Sequence, residues 1–201
     1  MNNILKLNDP REAKLHNIID MGLRFSAMMR LYNTGSKYKF RTRILAEVEK
    51  IFYAECEEEL QDIHSDFCHW GENNITLTEK KRRDGRIIQE AGPASYGQIA
   101  KTFDVVLAVA IYYCHLPNCE KSRQISGWLN AAVDTKMMAL LKRHYPEAIT
   151  PWPTTIKQVN NSTYIRIQET VRKFINEKHD NGITPVQFDD IYWEALNRKE
   201  A

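Results

Sequence analysis

Residues 96–115, YGQIAKTFDVVLAVAIYYCH, have the spacing of a helix that is apolar on nearly every side. A helix without a polar face has to be buried among other elements. Its longest apolar run, residues 105–114, is too short to cross a bilayer, which takes about 20 apolar residues. The segment therefore predicts the buried helix of a globular core.

The remaining segments are also helical in pattern, and almost nothing alternates with the period of two that strands require. Asp9 and Pro10 are typical of an N-cap and a first helical position. A second, long helix is expected from about Tyr38 to His69. We therefore predict an all-α fold, with one compact domain over residues 1–201. Further helices are expected within residues 116–130, at 134–144, and as two last helices at 161–179 and 186–198.

Residues 70–95 differ from the helical segments on either side, because they are polar and contain three glycines and a proline. We predict a loop or at most a short hairpin between the N-terminal helices of residues 1–69 and a helical core of residues 96–201. This segment holds the densest basic cluster of the chain, and basic side chains of this kind bind phosphates of DNA. A solvated loop is the alternative. The predicted DNA-binding residues are Lys80, Lys81, Arg82, Arg83 and Arg86.

The composition of the chain limits the classes of protein to which it can belong. The formal charge is +2, with 28 Lys and Arg against 26 Asp and Glu, which alone does not predict nucleic-acid binding. The four cysteines show no paired CxxC spacing, so we predict no metal, no iron–sulfur cluster and no other cofactor. No segment matches a membrane span or a signal peptide, and we expect no membrane partner. These features predict a cytoplasmic protein with reduced thiols.

Two segments, AKTFDVVLAVA at residues 100–110 and AAVDTKMMALLKR at residues 131–143, carry a family signature. Together they resemble the centre of the helix-hairpin-helix DNA glycosylases, in particular the endonuclease III and 8-oxoguanine glycosylase branches. The resemblance implies that Lys101 is the catalytic lysine and Asp134 the catalytic aspartate of a base-excision enzyme, with possible lyase activity at the abasic site. The chain's end, PVQFDDIYWEALNR, resembles the closing Asp-x-x-x-Trp helix of archaeal-type relatives. No cysteine quartet follows, so the iron–sulfur module of that branch is absent.

The chemistry of such a pair follows from the two side chains. A lysine amine attacks carbon only when it is unprotonated, and burial or a helix N-terminus disfavours the ammonium form. Lys101 is expected in the first turn of the buried helix, where it would attack C1′ of an extruded nucleotide. Asp134 would stabilise positive charge on the sugar. Base flipping also predicts an aromatic-lined pocket, and the candidate aromatics are Phe103, Trp128, Trp152 and Trp193.

Other interpretations of the same residues are structural. Asp134 has the residue type of an ordinary helix N-cap, and Lys101 could be a solvated surface residue. In that case the protein would be a non-catalytic, helical nucleic-acid-binding or protein-interaction protein, and a helical nuclease is a third candidate. Convergence of Lys101 and Asp134 in one cleft would favour the enzyme. Outside this pair, we expect His64 and His69 to be exposed and Tyr112 and Tyr113 to lie in the core.

Overall fold

A computed structural model describes residues 9–180 and 182–197 of the chain, and within them it has eight α-helices and two very small antiparallel sheets. The predicted all-α class is confirmed. None of the described helices has the length and apolar character needed to span a membrane. The helices are α1 (Pro10–Phe25), α2 (Ser36–Tyr53), α3 (Glu57–Asn74), α4 (Tyr96–Leu107), α5 (Cys119–Ser126), α6 (Thr135–His144), α7 (Asn161–His179) and α8 (Pro185–Asn197).

The predicted buried helix is α4, which lies at the centre of the molecule and packs against α1, α3 and α7. Close packing depends on glycines of the neighbouring helices. A Cβ atom at Gly22 of α1 would lie 2.9 Å from the Val106 Cα atom, and one at Gly71 of α3 would lie 2.4 Å from Ile99 Cγ2. Helix α1 therefore approaches the backbone of α4, and α3 approaches the Ile99 side chain, more closely than a larger residue would allow.

The predicted long helix over residues 38–69 is wrong, because the chain breaks it into α2 and α3 at residues 54–56. Ala54 is fully buried and its carbonyl accepts a hydrogen bond of 2.6 Å from Lys121 Nζ. Glu59 Oε2 accepts from the backbone N–H of Glu55 at 2.9 Å, and acidic residues fill the first turn of α3. These contacts satisfy backbone groups at the break and suit the dipole of a new helix N-terminus.

The predicted loop or short hairpin is a hairpin. Strands β1 (Thr76–Leu77) and β4 (Gly92–Pro93) pair at its base, and β2 (Lys80–Lys81) and β3 (Ile87–Gln89) pair nearer its tip. Helix α3 runs to Asn74, so the helical part extends past the predicted boundary at residue 70. The basic cluster therefore lies on an ordered β-hairpin that precedes α4.

Helix α4 continues without a loop into a π-helix over Ala108–Tyr113. The wider winding turns the end of the apolar run outward. As a result Tyr113 is 54% exposed and Tyr112 is half-buried, so the prediction that both tyrosines lie in the core is wrong. Short π segments inside helices occur frequently at functional sites.

Candidate functional site

Asp134 lies at the end of an extended, buried segment that leads from α5 to α6. Leu129, Ala131 and Val133 of this segment have almost no exposed surface. The side chain of Gln168 on α7 fixes its backbone, because Gln168 Oε1 accepts from the Ala131 N–H (3.1 Å) and Gln168 Nε2 donates to the Ala131 carbonyl (2.8 Å). Asp134 is thereby held at the start of α6, where the sequence predicted a cap.

Lys101 is positioned by α4. This helix begins at a capping box, in which Ser95 accepts from the Gln98 backbone N–H and the Gln98 side chain accepts from the Ser95 backbone N–H. Lys101 is the sixth residue of α4, so it lies in the second turn and not in the predicted first turn. The residues on either side of it, Ala100 and Thr102, are fully buried, which leaves little freedom for its backbone.

The structure brings Lys101 and Asp134 together. Lys101 Nζ lies 3.5 Å from Asp134 Oδ2, and the two side chains are 16% and 28% exposed. The other oxygen, Asp134 Oδ1, accepts hydrogen bonds of 2.9 Å from the backbone N–H groups of Lys136 and Met137. One carboxylate therefore caps α6 with Oδ1 and faces the lysine with Oδ2, so the two interpretations of Asp134 do not exclude each other.

A third ionisable group at this site, Asp189 of α8, was not a candidate from the sequence. Burial raises its pKa to about 7; the nearby charge of Lys101 lowers the pKa, while the charges of Asp134, Asp104 and Asp190 raise it further. Groups with strongly shifted pKa values cluster at functional sites. The only sequence signal was the closing segment of the chain, which resembles an Asp-x-x-x-Trp helix.

A pocket of about 220 Å³ borders Asp189 and begins one helical turn from Lys101, at Val105 of α4. Its aromatic walls are Phe25 at the end of α1, 67% exposed, and Tyr113 of the π-helix. The Tyr113 hydroxyl donates a short hydrogen bond to Asp190. The remaining lining residues are Ala108, Val109, Val186, Asp189 and Asp190.

Three of the four aromatics that the sequence suggested for the pocket do not line it. Phe103 has no exposed surface and stacks on Phe67 with a centroid distance of 3.8 Å, and Trp152 is buried. Trp128 contacts Lys121 through its ring instead. The side chain of Trp193 lies outside the part of the chain that the structure describes. Phe103 lies on a helix that is apolar on nearly every side. A helical pattern of this kind does not show which of its aromatic side chains face a pocket.

Beneath the site, three buried side chains form a hydrogen-bonded network. Asp104, three residues after Lys101, accepts from the Tyr164 hydroxyl at 2.8 Å and pairs with His64 Nε2 at 2.9 Å. Burial alone would lower the pKa of His64, but the charges of Cys68 and Asp104 outweigh it and raise the pKa to about 10. His64 is 3% exposed, so its predicted exposure is wrong. His69, in contrast, is exposed.

The five basic residues of the hairpin differ in their contacts. Lys80 donates a short hydrogen bond to the Arg30 carbonyl, Lys81 pairs with Glu79, and Arg86 pairs with Asp84. The remaining two, Arg82 and Arg83, are exposed and have no side-chain partner among the described residues. These two arginines are the positive charges of the hairpin that are available to a ligand.

Cysteine positions give no metal centre in the described residues. Cys68 is buried, Cys114 is half-buried, and Cys56 and Cys119 are exposed. Within residues 9–180 and 182–197, no group of three or more His, Cys, Asp or Glu side chains is arranged to hold a metal ion. The absence of a metal cofactor therefore stays a prediction.

No protein-family model, curated protein or solved structure matches the chain. The resemblance to the helix-hairpin-helix DNA glycosylases consequently rests on the two quoted segments alone. What the structure adds is the geometry of the pair that these segments contain.

The raised pKa of Asp189 predicts how stability depends on pH. Because the folded state favours the protonated acid, Asp189 makes the protein less stable as pH rises from its ordinary pKa of 3.8 through about 7. Asp189→Asn should remove this loss and therefore raise the melting temperature more at pH 8 than at pH 5. Melting of both proteins at the two pH values checks this, with Asp9→Asn, an exposed N-cap, as the control. An equal change at both values would contradict the burial of the charge.

Proposed function

We propose that the protein is a DNA base-excision enzyme that cleaves the N-glycosidic bond of a damaged or modified base and can nick the strand at the abasic site. The observation that carries the proposal is the 3.5 Å approach of Lys101 Nζ and Asp134 Oδ2, one helical turn from a pocket with aromatic walls. Residues from separate parts of the chain, paired by sequence resemblance, meet at one place. This convergence supports an active site over a solvated lysine and an isolated cap.

The proposed reaction begins with proton transfer from Lys101. The free amine forms a bond to C1′ of the sugar while the glycosidic C–N bond breaks, and the electron pair leaves with the base, which takes up a proton. Asp134 Oδ2 stabilises the positive charge that develops on the sugar. The nitrogen then gives up a second proton, and the ring oxygen O4′ takes one up as the C1′–O4′ bond breaks, which yields a Schiff base. Water hydrolyses the Schiff base, or removal of a proton from C2′ expels the 3′ phosphate and nicks the strand.

Asp189 is the proposed group for moving protons at this site. Its pKa of about 7 means that both its protonated and its ionised forms are populated at neutral pH. The ionised form can accept a proton from the Lys101 ammonium, and the protonated form can return one to the departing base. The charge of Asp189 is coupled to the charges of Lys101 and Asp134, and a bridging water can carry the proton between Asp189 and the amine.

The extruded base would enter the pocket beside Val105. Base-excision enzymes read a flipped base by stacking it against aromatic or apolar side chains and by hydrogen bonds to its edge. Phe25 and Tyr113 supply exposed rings, and the carboxylates of Asp189 and Asp190 supply acceptors. An acceptor-rich pocket suits a base that presents N–H donors, and this feature narrows the substrates to test first.

A panel of duplex oligonucleotides tests the proposal. Each carries one oxidised, alkylated or deaminated base, and each is incubated with the wild-type protein and with Lys101→Gln. We expect the wild type to release at least one base and to form an adduct that borohydride traps, and we expect Lys101→Gln to form none. If the wild-type protein cleaves no substrate while both proteins fold, the pair is a structural ion pair and the protein is the non-catalytic binding protein.

DNA binding by the hairpin gives a separate prediction. Arg82→Gln/Arg83→Gln removes the two charges without an intramolecular partner, and each lost phosphate contact lowers the salt slope of duplex binding by about 0.9. The double variant should therefore bind more weakly, with a slope smaller by about 2. Titrations of a labelled duplex at several salt concentrations measure it. Lys142→Gln/Arg143→Gln, on the exposed last turn of α6, is the control. A slope equal to that of the wild type would remove the hairpin from the interface.

A further inference from the structure

A second cavity, of about 290 Å³, lies between the end of the π-helix, α5 and the start of α8. Its lining combines a guanidinium, an imidazole and several hydroxyl groups, and no Asp or Glu of the described residues belongs to it. It is distinct from the pocket beside Val105, because the two have no lining residue in common. The lining residues are Tyr112, His115, Cys119, Ser122, Arg123, Ser126, Thr184 and Gln187.

The two basic side chains of this cavity make no side-chain contacts with the rest of the described chain. Arg123 and His115 are exposed, and neither side chain has a hydrogen-bond or ion-pair partner among the described residues. An arginine fork matches the oxygens of a phosphate in a bidentate geometry. The lining therefore presents positive charge without an internal anion to neutralise it.

Neutral donors complete the cavity. The Gln187 side-chain oxygen accepts from the Thr184 N–H at 2.9 Å and from the Thr184 hydroxyl at 3.2 Å, which leaves the Gln187 NH₂ group as a donor. Ser126 adds a hydroxyl that has no partner among the described residues. Hydroxyl and amide donors beside an arginine are the usual set for contacts to phosphate oxygens.

We propose that this cavity binds a phosphate group, and that the group is a backbone phosphodiester of the DNA strand whose base enters the neighbouring pocket. Binding of a phosphate stands by itself, whereas its assignment to DNA rests on the proposed function. Gln187 lies two residues before Asp189 on α8, so this one helix borders both the cavity and the reactive site. A phosphate contact here fixes the position of the strand without reading its sequence.

Cys119 provides a native reporter of occupancy, because it lines the cavity and is exposed. Its rate of alkylation by iodoacetamide is measured by peptide mass spectrometry, with exposed Cys56, which is outside the lining, as the internal reference. Three ligands are compared at constant ionic strength: an undamaged duplex, a mononucleotide monophosphate and inorganic phosphate. We expect the duplex to slow modification of Cys119 several-fold and to leave Cys56 unchanged.

The variant Arg123→Gln provides a second test of the phosphate site. We expect it to bind the duplex roughly tenfold more weakly, the loss typical of one charge-assisted hydrogen bond, with a salt slope smaller by about 0.9. Arg11→Gln, at another exposed arginine, is the control. It should change neither the affinity for the duplex nor the salt slope. Protection of Cys119 by the duplex that is lost in Arg123→Gln supports the proposal.

The other outcomes distinguish the claim that the cavity binds a phosphate from the claim that this phosphate belongs to DNA. Stronger protection by the monophosphate or by inorganic phosphate than by the duplex would keep a phosphate site and overturn its assignment to DNA. No protection by any ligand, or protection that Arg123→Gln does not change, would overturn the site itself. Base excision is measured independently on the oligonucleotide panel, so a catalytically inactive protein with a protected Cys119 would refute the proposed function and leave the phosphate site standing.

Discussion

Asp134→Asn is expected to fold like the wild type and to lose base excision. The amide oxygen of asparagine can accept the two backbone hydrogen bonds that Asp134 Oδ1 now accepts, and Asn caps helices about as well as Asp. Its NH₂ group, however, would replace Oδ2 opposite Lys101 and would carry no negative charge. Charge on the sugar would then be uncompensated, and we expect the rate to fall by at least about a hundredfold.

Single-turnover cleavage of the best substrate from the panel measures this loss, and thermal melting reports folding. Asp134→Ala is the matched comparison, because it removes both the charge and the cap. It should lose excision and about 1 kcal/mol of stability as well. If Asp134→Asn cleaves the substrate at the wild-type rate, the carboxylate serves only as a helix cap.

Removal of His64 is expected to have the largest effect on stability. In His64→Leu the carboxylate of Asp104 would stay buried with only the Tyr164 hydroxyl as a partner. Breaking a buried pair in this way costs about 3–5 kcal/mol of unfolding free energy. His69→Leu, an exposed position on the same helix, is the control and should cost less than about 1 kcal/mol. Urea denaturation of the three proteins measures the difference.

Two further measurements distinguish a lost charge pair from a packing defect. His64→Leu/Asp104→Asn should be more stable than His64→Leu, because the unpaired charge is gone while the Tyr164 hydroxyl keeps an acceptor. The raised pKa of His64 also sets a pH dependence: its contribution is full below pH 6.5 and is lost as pH rises toward about 10. A deficit in His64→Leu that is constant over this range would contradict a protonated His64.

Local signals in the sequence predicted several helix starts and the central helix. Asp9 with Pro10, and Asp134 before an apolar repeat, are found at the helix starts that their residue types indicated. The apolar run after Tyr96 is the central helix of the fold. These features depend on interactions within one or two helical turns, so a local pattern in the sequence is enough to predict them.

Features that depend on distant contacts could not be predicted in this way. The break at residues 54–56 is held by Lys121, which is 67 residues away from Ala54. His64 is buried because Asp104 and Tyr164 of other helices form hydrogen bonds with its Nε2 atom. Asp189 reaches the site only because α8 packs against α6 and α7. The meeting of Lys101 and Asp134, in contrast, was anticipated through the family resemblance and not through any local rule.

The π-helix gives the site two parts that can change independently. A π turn contains one more residue than an α turn, so deletion of a single residue within Ala108–Tyr113 would return the segment to α-helical winding. Five α-helical residues turn through about 500°, which is nearly the angle that six π-helical residues cover, so the chain on either side of the deletion would keep its orientation. The side chains inside the segment would be redistributed around the helix axis, which would change the pocket wall at Ala108 and Val109, while Lys101, about two turns upstream, would keep its place opposite Asp134. A one-residue change of length is therefore enough to alter which molecules the pocket admits without touching the reactive pair.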